Sequence, residues 1–340
     1  MTVKLLTQDE IKNLITVQEA VNAVEQSFRL MADGKALHPN KRIFHSYGWN
    51  LASIFAISGA DTTTNTMILK TLSMNWTNPE LRKIPHMYGL IFLCELQSGV
   101  PKCIMDATYL TNIRTGAIAG VGAKYLARKE SRTLAVIGSR EIARFATLAV
   151  KFVLPDLFKI NVYSRSKTNR EKFAKEMMSI IGVDVSSADS VASAVSGADV
   201  IITATSSEEP LLSYPMLGTG AFVASLGSTN EVDPLLLKTV KLVPEALEEC
   251  SERGRTGIAM RKGVISDEDV HGQLCDIVSG KVSGRTSDEQ TFLLDSIGLA
   301  IEDICVANIV LSKAEKVGIG SELNLFQNPF LEKSSMPGTT

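Results

Sequence analysis

Residues 134–146 read LAVIGSREIARFA. An apolar run leads into Gly138, and apolar residues then recur at helical spacing. This is the strand–turn–helix opening of a dinucleotide-binding unit, whose fingerprint is G-x-G-x-x-G or G-x-G-x-x-A. Gly138 fills the first position and Ala143 the third, but Arg140 stands where the second glycine belongs. That glycine lets the backbone approach a pyrophosphate with no Cβ in the way. Arg140 removes this advantage and leaves the free amides of the helix start. Its guanidinium either salt-bridges a phosphate or covers the pocket. Gly138, Ser139, Arg140, Glu141 and Ile142 are therefore the candidate cofactor contacts of this turn.

The pattern extends downstream. Strand-like runs at 133–138, 159–164, 183–185, 199–205, 221–227 and 240–243 alternate with helical segments at 141–153, 167–181 and 187–196. Such alternation predicts an α/β fold with a Rossmann-type, doubly wound parallel sheet. The second strand ends in NVYSRSK, with Ser164 where NAD-specific proteins commonly carry an acid for the ribose hydroxyls. Ser164, Arg165 and Ser166 tolerate a 2′-phosphate. The expected cofactor is NADP(H) or NAD(H), with NADP(H) favoured.

Upstream the pattern differs. Thr16 and Glu19 form a capping box at the head of a helix that Gly34 ends. Strands follow at 42–48, 51–58, 66–74, 89–96 and 100–105, then a helix from Asp106 to about Arg128. Successive strands suit an antiparallel or mixed sheet. A last helix, about Leu299 to Lys316, follows the parallel strands and is free to return to the first unit. The division expected is a mixed α+β substrate and dimerisation domain at 1–115, completed by 305–330, and a dinucleotide-binding domain at 116–304.

The 340 residues are 45% hydrophobic and 21% charged, with net charge −2. Nothing in this balance points to nucleic acid or an anionic membrane, and no apolar run approaches a membrane span. Five cysteines without motif spacing suit a reducing compartment, and a cytoplasmic protein is expected. The four histidines show no ligand spacing, so no metal site is expected.

Three cations invite a chemical reading. Lys70 interrupts the apolar run MILKTL, which fits a partnered lysine of depressed pKa or one snorkelling from an edge strand. Arg114 lies among small residues in TNIRTGAIAG, where a backbone or a ligand approaches closely, or it is a surface arginine. Arg42 follows HPNK and says nothing alone.

These stretches, with PKCIMDATYLTNIRTGAIAGVGAKYLAR, NPELRKIPHMYGLIFLCELQSGVP, ADVIITATSSEEPLL and SIGLAIEDICVA, resemble the ornithine cyclodeaminase and mu-crystallin family over roughly 1–325. HGQLCDIVSGKVSGR is similar to its opine-type dehydrogenase branch. The resemblance implies a homodimer acting on an amino or imino acid. It implies that Arg42 and Arg114 hold the substrate carboxylate by bidentate pairing and that Lys70 is the acid/base at the reacting nitrogen. It places Thr115, the Thr205–Ser206–Ser207 loop, Leu226, Ser228 and the loop from Ser296 to Gly298 at the cofactor. The family's cyclodeaminases use an aspartate where SLGSTN has Ser228, and a serine is no carboxylate base. The expected function is thus NAD(P)-dependent amine oxidation or imine reduction on an amino acid. The alternatives are a mu-crystallin-like binding protein without turnover, ornithine cyclodeamination, or cofactor-independent chemistry on Lys70.

Overall fold

Two kinds of apolar pattern, alternating in the first third and continuous after residue 133, sort the strands into two sheets. A computed structural model describes residues 2–39, 41–44, 53–227 and 230–326. The strands are β1 (Thr2–Leu6), β2 (Ala36–Leu37), β3 (Arg42–Phe44), β4 (Ser53–Asp61), β5 (Thr66–Met74), β6 (Met87–Glu95) and β7 (Pro101–Asp106), then β8 (Thr133–Ile137), β9 (Lys159–Tyr163), β10 (Asp184–Ser187), β11 (Val200–Thr203), β12 (Phe222–Ser225), β13 (Lys241–Pro244), β14 (Phe292–Asp295) and β15 (Ser321–Asn324). The helices are α1 (Gln8–Leu14), α2 (Val17–Ala32), α3 (Asn78–Leu81), α4 (Thr108–Leu126), α5 (Glu141–Val153), α6 (Lys167–Ile181), α7 (Val191–Val195), α8 (Pro234–Thr239), α9 (Leu247–Arg253), α10 (Arg255–Arg261), α11 (Leu274–Val278) and α12 (Ala300–Val317).

The first sheet runs β15-β1-β7-β6-β5-β4-β2, with β3 also on β4. It is mixed: β1 lies parallel to β7, and β4, β5, β6 and β7 follow as antiparallel neighbours. Residues opposite one another share a face, and successive residues alternate faces. Ile57, Lys70, Ile91 and Met105 occupy one rung, and all four are buried. Helices α2, α4 and α12 pack on this inner side, with α12 against β4 and β5. The opposite face carries Ile54, Leu69, Tyr88 and Leu90, each close to half exposed. The strands expected at 42–48 and 51–58 are seen as β3 and β4, and positions 45–52 lie outside the described residues.

The second sheet is parallel throughout, in the order β10-β9-β8-β11-β12-β14-β13. Its strand order reverses between β8 and β11, the switch point at whose carboxyl ends such sheets bind their ligands. Strands β11, β12 and β14 are buried along their whole length, which is why they read as unbroken apolar runs. Helices α5 and α6 have the expected bounds. Helix α7 starts later than expected because β10 extends to Ser187 and Ser190 then caps the helix.

The first and last described elements close on the first sheet. Helix α12 returns to it, and β15 pairs antiparallel with β1. Helix α4 runs unbroken through 115/116 and packs against α2, α5 and α12. Its small residues have a packing reason: a Cβ on Gly116 would sit 2.5 Å from the Phe145 side chain and backbone, so α5 lies directly on the α4 backbone. Among the described residues no helix is long and apolar enough to cross a membrane. Gly116→Ala is expected to lower the unfolding free energy by about 1–3 kcal/mol through overpacking, read by urea denaturation. An unchanged midpoint would contradict the close α4–α5 contact.

Candidate active site

Lys70 is fully buried at the centre of β5. An ammonium there needs partners. Its Nζ donates to Asp303 Oδ1 at 2.7 Å. The same oxygen accepts from Arg114 Nε at 3.0 Å, and Arg114 Nη1 donates to Glu302 Oε2 at 3.0 Å. Three elements thus meet: β5 brings Lys70, α4 brings Arg114, and the first turn of α12 brings Glu302 and Asp303. A helix N-terminus suits acidic residues. Burial pushes the Lys70 ammonium down, Asp303 opposes this, and Arg114 adds to it; the balance is a pKa of about 7. Burial also works against Asp303, but Arg114 and Lys70 outweigh it and hold its carboxyl below the usual range.

Glu245, at the end of β13, ties the loop after β14 to this cluster. Its Oε2 accepts from the Ile297 amide at 2.7 Å, the Gly298 amide at 2.6 Å and Ser296 Oγ at 3.2 Å. Gly298 lies directly over Arg114: a Cβ there would fall 2.2 Å from Nη1. Lys41 Nζ donates to the Ile297 carbonyl at 2.6 Å, and Arg253 Nη1 donates to the Lys41 carbonyl at 2.8 Å. Burial pushes the Lys41 ammonium down, Glu249 opposes this, and Arg114 adds to it.

Lys70 and Arg114 are therefore brought together as expected, and Arg42 is not. Arg42 pairs with Ala56, which pairs with Thr71, so it is exposed on the sheet face opposite Lys70. Lys41, one residue earlier, is the cation that reaches the cluster. The sequence reading missed Lys41, Glu245, Glu302 and Asp303. The signal was available in SIGLAIEDICVA, where adjacent acids interrupt an apolar helix head.

Among the described residues, the expected cofactor contacts other than Thr115 follow the carboxyl ends of β8, β9, β11, β12 and β14. Gly138 follows β8 with φ +125°, and a Cβ there would meet the Ala204 carbonyl at 2.4 Å, so this turn demands glycine. Ser139 Oγ donates to Ser164 Oγ at 3.0 Å, joining the ends of β8 and β9. Ser166 caps α6, and Arg165 is exposed beside it. Arg140 is the N-cap residue of α5, and its guanidinium lies 5.8 Å from the Trp76 ring centroid, reaching toward the first unit. Trp76 in turn stacks on His86 at 4.9 Å; burial and the nearby Arg140 press the His86 pKa to about 4. Glu141 is exposed in the first turn of α5, and Ile142 packs against the core. Thr115 is buried on α4, Leu226 is buried after β12, and Ser206 and Ser207 are half-buried after β11. Ser228 lies outside the described residues.

A second buried ionic cluster holds this edge together. Arg255 Nη1 donates to Asp295 Oδ1 and Nη2 to Glu231 Oε1, each at 2.9 Å, and Nη2 also donates to the Gly227 carbonyl. Glu231 accepts from Thr203 Oγ1 at 2.8 Å and from the amide and hydroxyl of Thr205 at 2.9 and 2.6 Å. Thr205, expected at the cofactor, thus spends its hydroxyl on Glu231. The cluster fixes the loops after β11, β12 and β14. Arg255→Met leaves Glu231 and Asp295 buried without their cation, and an unfolding free energy lowered by about 3–5 kcal/mol is expected in urea denaturation. A loss below ~1 kcal/mol would contradict that role.

Comparison with known proteins shows the same fold in named relatives. Residues 1–318 match the ornithine cyclodeaminase/mu-crystallin family. Alanine dehydrogenase of Archaeoglobus fulgidus is 34% identical over 336 residues, covering 96% of this chain and 100% of that one. The structure of Thermococcus litoralis Δ1-pyrroline-2-carboxylate reductase, in complex with NADH and L-proline, superposes with a TM-score of 0.91 at 30% identity, covering 94% of this chain and 100% of that one. An archaeal alanine dehydrogenase dimer with bound NAD superposes at 0.87 and 34% identity, covering 96% and 100%. The chain belongs to the ornithine cyclodeaminase/mu-crystallin family.

Proposed function

We propose that the protein is an NAD(P)-dependent oxidoreductase acting on the C–N bond of an amino or imino acid. The observation that carries this is Lys70, wholly enclosed, paired with Asp303, and poised at a pKa of about 7. A structural lysine in that position is a liability, whereas an acid/base matched to neutral pH is an asset. The related reductase holds NADH and L-proline together, and the related dehydrogenase holds NAD. The forced glycine turn at Gly138 and the serine bridge at Ser139 and Ser164 fit a dinucleotide, with Arg140 turned toward Trp76 rather than across the α5 amides. A bound nicotinamide would supply or accept a hydride at the substrate's α-carbon.

The chain's own residues do the rest. Arg114 and Lys41 hold the substrate carboxylate, Lys41 taking the role expected of Arg42. Lys70 in its ammonium form protonates the nitrogen of an imine as it becomes an amine, and in its neutral form takes a proton from an ammonium before oxidation. Asp303 Oδ1 orients Lys70. Its Oδ2 is buried without a protein partner and suits an N–H of the substrate. Ser164 and Arg165 favour NADP(H) over NAD(H). The relative's dimer supports a homodimer here, and the exposed apolar face of Ile54, Leu69, Tyr88 and Leu90 is the surface we assign to it. Light scattering at twice 36.8 kDa is expected, and a monomer mass would reject that surface.

The test is nicotinamide oxidation with 2-oxo acids plus ammonium and with cyclic 2-imino acids. Lys70→Ala should lower kcat by roughly 10²–10⁴-fold while nicotinamide fluorescence still reports binding. Retained turnover would remove Lys70 from the chemistry. Fluorescence titration should give tighter binding of NADPH than NADH, and Ser164→Asp should reverse the order. Failure of both nucleotides to bind folded protein would end the dehydrogenase reading.

A further inference from the structure

Two buried oxygens at the edge of the Lys70 cluster lack any partner: Glu245 Oε1 and Glu302 Oε1. Both side chains are completely buried. Each uses its other oxygen fully, Glu245 for the 296–298 loop and Glu302 for Arg114. The two carboxyls converge on one spot: Glu302 accepts from Arg114 Nη1, and Glu245 accepts from the amide of Gly298, which lies directly over that nitrogen. Two ionised carboxylates there repel, and both free oxygens are acceptors only. One proton between them removes the repulsion and satisfies both orphans together. We propose that Glu245 and Glu302 share a single proton, and that this proton, by removing one negative charge, lets the cleft receive a substrate carboxylate.

The charges around the pair make the second half concrete. The basic groups converging here are Lys41, Lys70, Arg114 and Arg253, and the acidic ones are Glu245, Glu249, Glu302 and Asp303, with Glu252 acting on Glu249. One proton on the glutamate pair removes one negative charge from this set, whatever the state of the others. Two buried thiols lie nearby, Cys250, whose Sγ donates to the Asp295 carbonyl, and Cys305; burial raises both, so neither contributes charge at neutral pH. Burial and then the neighbouring Glu245 push the Glu302 carboxyl well above its ordinary range, consistent with a proton held there. Glu245 Oε2 accepts from three donors. Glu302 is thus a positioning residue: it keeps Arg114 in place without neutralising it, and it ties α12 to the loop over the cleft. This rests on the proposed binding of a carboxylate-bearing substrate only in its second half.

The shared proton is tested without any activity. A carboxyl with a raised folded pKa contributes stability that is complete below its unfolded pKa and is lost as pH rises through the folded one. Glu302→Gln keeps a donor toward Glu245 and cannot ionise. Between the two pKa values, the folded-to-unfolded ratio of the wild type should therefore fall relative to Glu302→Gln by roughly tenfold per pH unit. Lys70 titrates in both proteins and drops out of the difference. A difference flat from pH 5 to 9 overturns the shared proton. Infrared spectra of the wild type alone decide the same point if the variant does not fold: a protonated-carboxyl carbonyl band at pH 7 is expected, and its absence overturns it. For the second half, pyruvate is the probe, with Kd read by calorimetry. Its affinity should fall with rising pH more steeply in the wild type than in Glu302→Gln. Parallel profiles overturn the charge assignment. No pyruvate binding at any pH overturns it together with the carboxylate reading, while the stability difference still decides the proton.

Discussion

Asp303 is the residue on which the cleft depends. One of its oxygens accepts from both Lys70 and Arg114, so a strand, a helix and the head of a second helix are joined at a single buried atom. Burying charges is costly, and a buried ion cluster is seldom the cheapest way to hold a core together. On the proposed function, it places a proton donor where solvent is excluded. Without Asp303, burial and Arg114 would leave little to keep Lys70 protonated near neutrality.

The two ionic clusters divide the work. Lys70, Arg114, Glu302 and Asp303 join the first sheet to α12. Arg255, Glu231 and Asp295 bind the ends of β11, β12 and β14 to one another. Glu245 connects the two regions by holding the loop between β14 and α12. The loop over the cleft is therefore fixed from both sides, and reacting groups brought there meet a preorganised set of charges rather than mobile side chains.

Much of the fold was legible because its signals are local. The Thr16 capping box, the Gly138 turn and the periodicity of 141–153 and 167–181 each reflect contacts within a few residues. Strands β1, β14 and β15 were not legible: each is four or five residues long and exists because a distant partner pairs with it. The site divides likewise. Lys70 and Arg114 stand out against apolar or small neighbours. Arg42 and Lys41 are adjacent cations, and which of them faces inward is a matter of strand register, set by β4. The acids of α12 do interrupt an apolar helix head, but their partner was not legible, because nothing in sequence shows that Arg114, more than 180 residues away, lies against them. Arg140 breaks the glycine fingerprint, and only the fold reveals Trp76 beneath its guanidinium.

The most direct test of the account is the pH dependence of kcat/KM for reduction of a cyclic 2-imino acid. With Lys70 as the proton donor at a pKa of about 7, the rate should be highest on the acid side and fall about tenfold per pH unit above neutrality. Lys70→Ala should abolish that limb. A profile level from pH 6 to 9, or a limb that survives the substitution, would show that the proton comes from elsewhere and that the buried cluster is structural.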